Sequence, residues 1–251
     1  MSRSTTACFF YSKNMTIGSC IELDETESHH LLHVSRTERD TIVTLLNGEG
    51  VYAEARLMEV HKKTALLLIE SLTIVRKQKP AVCLAVSIPR SESAFEMILK
   101  MCAEFGVDRI VPLISANSES YRVVKRAERI ERWNKILCNA CKQSRTAWFP
   151  VLSQPLAMDT LLEGIKGTRT VILAGIEPHY DPLCSVSPAT LRDAEEVYWI
   201  VGPEGGWTEE EVVRLQAGCM AISFGQSILT SVTASIAGLG VIRFLLRNNL
   251  Q

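Results

Sequence analysis

One stretch constrains this chain more than any other: Val-Tyr-Trp-Ile-Val-Gly-Pro-Glu-Gly-Gly-Trp-Thr-Glu-Glu-Glu-Val-Val, residues 197–213. Its first five residues are β-branched, aromatic and aliphatic, a run short enough for a buried strand. Gly202, Pro203, Glu204, Gly205 and Gly206 follow without a spacer. A glycine carries no Cβ, so the backbone can turn sharply and a ligand can approach it closely. Thr208 and Glu211 then stand in capping-box spacing with two further acids between them. The stretch reads as strand, loop and helix N-terminus. In open α/β sheets ligands sit at such a junction, beyond the carboxyl end of a strand. The alternative is an ordinary tight strand–helix turn. The loop lacks the Lys-Ser/Thr ending of a P-loop and the spacing of a dinucleotide fingerprint. Glu204 also makes it a poor phosphate cradle, so a cationic or neutral ligand fits better than a polyphosphate.

A chain of 251 residues with 47% hydrophobic and 22% charged residues can fill one large core or two smaller ones, so disorder is not the default expectation. The formal net charge of −1 does not by itself point to nucleic acid, but its distribution does. Between Tyr121 and Pro150 stand eight bases, among them Arg126, Arg129, Arg132, Lys142 and Arg145, against two acids, Glu128 and Glu131. Between Val171 and Met220 nine acids face two bases. A basic face on a nearly neutral protein suits phosphate, and a merely solvated helix surface is the alternative. The eight cysteines follow no secretory pattern, so free thiols in a cytoplasmic setting are expected. Cys138 and Cys141 form a lone C-x-x-C without the second pair that structural zinc requires, so no metal is expected. His29, His30 and His33 read as the start of a short helix. No run of about 18 apolar residues is present, so no membrane span is expected.

Taken in order, residues 1–72 read as a small β-rich module. Strands are expected at Thr41–Leu46, Val51–Val60 and Thr64–Ile69, with Asn47-Gly48 as a hairpin turn and a helical turn at His30–Arg36. Residues 73–79, with Arg76, Lys77 and Lys79 before Pro80, suit a linker. From residue 80 to 251 strands alternate with helices, the α/β pattern. The strands are Ala81–Ile88, Arg109–Ser115, Thr170–Gly175, Val197–Val201 and Ala221–Ser223. The helices are Glu92–Phe105 (closed by Gly106 as its C′ residue), Ala127–Ser144, Thr208–Ala217 and Thr233–Arg247. Phe224–Leu229 reads as a loop.

Several ordered motifs together resemble the RsmE-type ribosomal RNA methyltransferases of the SPOUT superfamily. Val201-Gly202-Pro203-Glu204-Gly205-Gly206-Trp207-Thr208 and the run from Phe224 to Ala234 resemble the C-terminal half of that family. Ile88-Pro89-Arg90, Ala103–Val107 and Ile110–Leu113 resemble the start of its catalytic domain. Arg132-Trp133 and Gln143-Ser144 resemble its middle, and His30–Arg36 with Leu46–Gly50 its PUA-like N-terminal domain. The resemblance covers nearly the whole chain. It implies an α/β SPOUT domain with a trefoil knot behind a small PUA-like β-barrel, and S-adenosylmethionine-dependent methylation of N3 of a uridine in small-subunit (16S) ribosomal RNA. The implied partners are that RNA or the assembled small subunit, and a second copy of the chain in a homodimer.

The same resemblance implies that three loops hold the cofactor: Leu173, Ala174, Gly175 and onward to Glu177; Gly202, Pro203, Glu204, Gly205 and Gly206; and Phe224, Gly225, Ile228 and Leu229. Core packing is the alternative for Ile228 and Leu229. Arg36, Arg90, Arg126 and Arg145 are the candidate RNA contacts. Thr230 and Thr233 are the candidate donors to a uracil carbonyl, with backbone capping as the alternative. The chain departs from the family where the last loop usually reads Leu-Arg-x-Glu-Thr-Ala: Thr230 stands for the arginine and Val232 for the glutamate. Thr146 stands where an arginine is usual, with Arg145 one residue earlier, and Lys100-Met101 stands for the family's Gln-Lys. These departures leave two further readings open, a non-catalytic RNA-binding relative and a SPOUT methyltransferase acting on another RNA position such as a ribose hydroxyl.

Overall fold

Two strand chemistries separate two parts of the chain. In one, buried and exposed residues alternate along the strands. In the other, the central strands are buried on both faces, as parallel sheets covered by helices require. The structure, a computed structural model, describes residues 4–61, 63–118, 127–165, 169–176 and 183–247. The chain divides into Met1–Lys77 with Cys138–Phe149, and Gln78–Leu137 with Pro150–Gln251.

The first unit holds β1 (Ser4–Phe10), β2 (Cys20–Glu22), α1 (Glu25–His29), a π-helical turn (His30–Val34), β3 (Ile42–Leu46), β4 (Val51–His61) and β5 (Thr64–Ile74). The sheet order is β1-β3-β4-β5-β2, with β1 parallel to β3 and the other pairs antiparallel. Ala53, Ala55 and Leu57 on β4 and Ala65, Leu67 and Ile69 on β5 turn inward at every second residue, onto Phe9, Leu31 and Leu45. The Asn47-Gly48 turn forms as expected. Asn47 Oδ1 accepts from Glu49 N at 2.8 Å and from Val51 N at 3.0 Å. The helix begins at Glu25 rather than His30, because Asp24 caps it by accepting from Glu27 N at 2.8 Å.

The segment 138–149 completes this unit. Trp148 donates from Nε1 to Val75 O at 2.9 Å. Its ring occupies the space where a Cβ on Gly50 would come within 2.4 Å. Lys142 Nζ meets Glu27 Oε1 at 2.5 Å, both side chains nearly buried, and Glu27 Oε2 accepts from Phe10 N at 3.1 Å. Lys142 therefore leaves the expected basic face to satisfy a buried carboxylate.

The second unit holds a parallel sheet built from β6 (Ala81–Ser87), β7 (Arg109–Ile114), β8 (Val151–Leu152), β10 (Thr170–Gly175), β11 (Glu196–Val201) and β12 (Met220–Ile222), in the order β12-β10-β11-β6-β7-β8. Short β9 (Leu156–Ala157) pairs with β7. Its helices are α2 (Glu92–Glu104), α3 (Ala127–Ser144, whose last turns fall in the first unit), α4 (Met158–Gly164), α5 (Pro188–Arg192), α6 (Glu209–Gly218) and α7 (Ser231–Arg247). β2, β8, β9, α4 and α5 escape a sequence reading because two to seven residues are too few to show a period; their partners hold them. α7 starts two residues before the expected Thr233, because Thr230 caps it: Thr230 Oγ1 accepts from Thr233 N at 3.2 Å. Among the described residues no helix is long and apolar enough to cross a membrane.

Trp199 on β11 is fully buried and donates from Nε1 to Ala234 O on α7 at 3.0 Å. A Cβ on Gly238 would come within 2.3 Å of this indole, so α7 can lie on the sheet only where Gly238 crosses it. A Cβ on Gly240, two residues on, would meet Phe105 at an ordinary 3.7 Å. Gly238→Ala is expected to destabilise the protein by about 1–3 kcal/mol through overpacking. Gly240→Ala is expected to stabilise it by up to about 1 kcal/mol through helix propensity. Urea unfolding of the two variants checks the opposite signs.

Candidate functional site

Register brings three loops to one place. Gly175 at the end of β10 lies opposite Val201 at the end of β11 and Ile222 at the end of β12. Three parallel neighbours therefore stop at one level, and the segments beginning at 176, 202 and 223 leave the sheet side by side. These are the three segments expected to hold a cofactor.

Two indoles brace them. Trp207 donates from Nε1 to Gly175 O at 3.1 Å, and its ring covers Gly202, where a Cβ would come within 2.6 Å. Trp199 lies under Gly175, where a Cβ would come within 3.1 Å, and meets Phe224 edge-on with ring centroids 5.6 Å apart. Gly175 thus accepts a hydrogen bond from one indole and leaves room for the other. Gly206 and Gly225 have φ of +74° and +104°, conformations that side chains resist.

A fourth segment, after β7, clamps the glycine loop. Asn117 Nδ2 donates to Gly206 O at 3.0 Å and to Gly205 O at 3.3 Å. Glu211 completes the expected capping box, accepting from Thr208 N at 2.9 Å, and its other oxygen accepts from Ala116 N at 2.9 Å. Ser115 and Ser87, both buried, share a hydrogen bond of 3.0 Å that ties the ends of β6 and β7. The capping spacing identified Glu211 but not its second bond, and nothing in the sequence marks Asn117. A carboxamide needs only space and two carbonyls, and space is a tertiary property.

The remaining expected residues divide by exposure. Leu173 and Ala174 are fully buried in β10 between two paired strands, so they shape the floor rather than the loop. Pro203 is buried, and Glu204, Gly205 and Gly206 are exposed. Ile228 is 88% exposed, which removes core packing as the reason for it, while Leu229 is half-buried. Thr230 and Thr233 are exposed, with hydroxyl oxygens 3.0 Å apart, and Thr230 also serves as the N-cap of α7. Arg36, Arg90 and Arg145 are exposed, Arg36 and Arg145 in the first unit and Arg90 in the second. Arg126 and Glu177 lie outside the described residues. Arg132 is engaged by Glu96 at 2.7 Å, so part of the basic stretch neutralises its own protein.

Five of the thiols are held back by burial. Burial pushes Cys8 and Cys138 up to about 11 and Cys83, Cys141 and Cys219 up to about 12, which keeps them protonated near neutral pH. Among the described residues no three potential metal ligands gather.

A model of the RNA methyltransferase domain matches residues 76–243. The ribosomal RNA small subunit methyltransferase E of Synechocystis sp. is 28% identical, covering 92% of this chain and 75% of that protein. That of Bacillus subtilis is 27% identical, covering 87% of each. The crystal structure of the corresponding enzyme from Neisseria gonorrhoeae, bound to S-adenosylmethionine, superposes with a TM-score of 0.85 at 27% identity, covering 95% of this chain and 97% of that one.

The clamp makes a prediction. In Asn117→Ala the Gly205 and Gly206 carbonyls lose their donor, worth about 1–1.5 kcal/mol. Amide hydrogen exchange across 204–207 is expected to rise about 10-fold while exchange in β11 is unchanged. Exchange measured by mass spectrometry on overlapping peptides checks this.

Proposed function

We propose, from the premise that this chain belongs to the RNA methyltransferase family, that it transfers the methyl group of S-adenosylmethionine to N3 of a uridine in small-subunit ribosomal RNA. The observation that carries this reading is the convergence of three strand ends, with their glycine-bearing loops, in a fold so like that of the S-adenosylmethionine-bound Neisseria enzyme.

The residues present suit that cofactor. Gly205 and Gly206 are exposed main chain whose amides and carbonyls can read an adenine edge without side chains. Ile228 is an exposed apolar side chain in need of cover, as a flat heterocycle would give. Glu204 offers a carboxylate toward a cation. Leu173, Ala174, Gly175, Gly202, Pro203, Phe224, Gly225 and Leu229 form the floor and walls. When bound, S-adenosylmethionine supplies a methyl group activated by its sulfonium.

The protein's own part is chiefly positioning. The bracing by Trp199, Trp207 and Asn117 holds the loops in one geometry before any ligand arrives. Uridine N3 must lose its proton, so charge builds on the uracil carbonyl oxygens and donors there lower the barrier. The Thr230 and Thr233 hydroxyls share one hydrogen bond between them, which leaves a second hydroxyl hydrogen to donate outward. Arg36, Arg90, Arg126 and Arg145 serve the RNA, whose target base must leave its stack.

The rest of the reading follows from the same resemblance: a trefoil knot in an α/β SPOUT domain at 80–251, a PUA-like β-barrel at 1–72 joined by a linker at 73–79 whose first two residues continue β5, a homodimer, and action in the cytoplasm, where small subunits are found. A second reading, a protein that binds RNA without catalysis, is favoured by Thr230 and Val232 in place of the family's arginine and glutamate.

Small subunits lacking N3-methyluridine, incubated with the protein and labelled S-adenosylmethionine, are expected to take label on a uridine N3, located by nuclease digestion and mass spectrometry. Label on another nucleotide would replace the target. Cofactor binding by calorimetry without transfer would favour the second reading. Gly205→Val is expected to abolish cofactor binding, because even a Cβ there stands 3.1 Å from Asn117 Cβ. Unchanged affinity would remove Gly205 from the site.

A further inference from the structure

Three costly features gather in residues 29–37 of the first unit. The helix that begins at Glu25 widens at His30 into a π-helical turn that runs to Val34, where Ser35 N donates to His30 O at 2.9 Å. Such turns are rare and occur largely at functional sites. Among the described residues four buried side-chain polar atoms have no hydrogen-bond partner, and two of them, His30 Nδ1 and Thr37 Oγ1, belong to this stretch. Each has lost its water with nothing in return. Arg36, just past the turn, has φ +49°, one of three described non-glycine residues with positive φ beside Asp40 and Arg145. A long side chain resists that region.

What this conformation displays is a pair of aromatic rings. His29 and His33 are both exposed, and their imidazoles lie with centroids 4.8 Å apart and planes inclined at 43°. That is closer than the about 6 Å that four residues rise along an α-helix. His30, between them in sequence, turns instead to the core, where its ring meets Phe9 edge-on with centroids 5.5 Å apart. Val34 follows on the turn as an apolar side chain left 61% exposed. Among the described residues neither the His29 nor the His33 imidazole makes a hydrogen bond or an ion pair. A metal is a poor occupant, because no three potential ligands gather among the described residues and structural zinc takes four. A solvated pair of helix histidines is the bland alternative, and it leaves the strained turn beneath them without a purpose.

We propose that the His29–His33 pair is a stacking platform for an unpaired base of RNA, with Val34 as its apolar border. Single-stranded RNA presents bases whose flat faces stack on aromatic side chains, histidine among them. Stacking asks the protein for no hydrogen bond, which suits two rings that make none. The exposed Arg36 guanidinium stands a few residues on, so a cation for the adjoining phosphate accompanies the platform. Strain in the turn fits a site that must show its rings in one geometry, since a helix end with only a structural task has no reason to keep it. The proposal rests on the RNA-directed reading above and deepens it by adding a base contact to the arginines.

The test uses the full-length protein with His29→Ala, His33→Ala and His33→Phe. Binding is measured without cofactor at about pH 8.5, where a free imidazole is neutral. The probes are deproteinised small-subunit ribosomal RNA and a fully paired RNA duplex. Each alanine variant is expected to bind the ribosomal RNA about 5–10-fold more weakly and the duplex as the parent does. The slope of log affinity against log salt should not change, because stacking releases no counterion. His33→Phe should bind at least as tightly as the parent, since it keeps a ring and loses only the nitrogens. Both rings are exposed, so every variant should melt within about 2 °C of the parent. An alanine variant with unchanged affinity would overturn the proposal. So would a His33→Phe protein that binds no better than His33→Ala, or a slope that falls by about 0.7–0.9, the mark of a lost phosphate contact. A parent that binds no RNA would remove the RNA-directed reading and this contact together, whereas a parent that binds and is matched by its alanine variants removes the contact alone.

Discussion

The second unit depends on one side chain, the indole of Trp199. It is buried in the middle of the parallel sheet and reaches both ways. Its Nε1 binds Ala234 O on α7, its face fills the gap left by Gly238, and its edge meets Gly175 and Phe224. A helix ordinarily rests on a sheet through side chains that keep the backbones about 10 Å apart. Here a bare glycine lets the helix come down onto an aromatic ring, and α7 carries Thr230 and Thr233 at its N-terminus. The height of α7 above the sheet therefore sets where those hydroxyls stand relative to the loops. Trp207 repeats the device above the sheet, covering Gly202 and binding Gly175 O.

Such bracing explains how a loop of glycines can hold one shape. Glycine main chain is the freest in the unfolded state, and a loop that must order on each binding event loses affinity. The 202–206 loop escapes this because its neighbours are fastened elsewhere: Asn117 to its carbonyls, Trp207 to β10, and Glu211 to the segment after β7. Glu204, exposed in this loop, is a carboxylate suited to a cationic ligand.

Much of the local structure around the candidate site is legible in the sequence. The strand–loop–helix reading of 197–213 holds to within one residue at each boundary, down to the capping box of Thr208 and Glu211, because each step is governed by local chemistry. Gly106 closes α2 for the same reason. What escaped were features whose signal is not local. Asn117 is an unremarkable loop residue until Gly205 and Gly206 stand beside it. The segment 138–149 belongs by contact to the first unit, although it follows residues of the second in sequence. Lys142 looks like a surface base until Glu27 is found buried against it.

The amino-acid sequence by itself determined the alternation of strands and helices in the second unit, the ends of α2, α3 and α6 to within a residue, and the glycine loop. These follow from hydrophobic period, capping and the absence of Cβ atoms, all properties of a few adjacent residues. Only the tertiary structure decided that the ends of β10, β11 and β12 lie level, that two indoles brace the loops, that Ile228 is exposed rather than core, and that two arginines occupy left-handed helix ends. Each of these depends on register or on free space between segments distant in sequence. Register and space are set by the whole packed chain, so no window of sequence contains them.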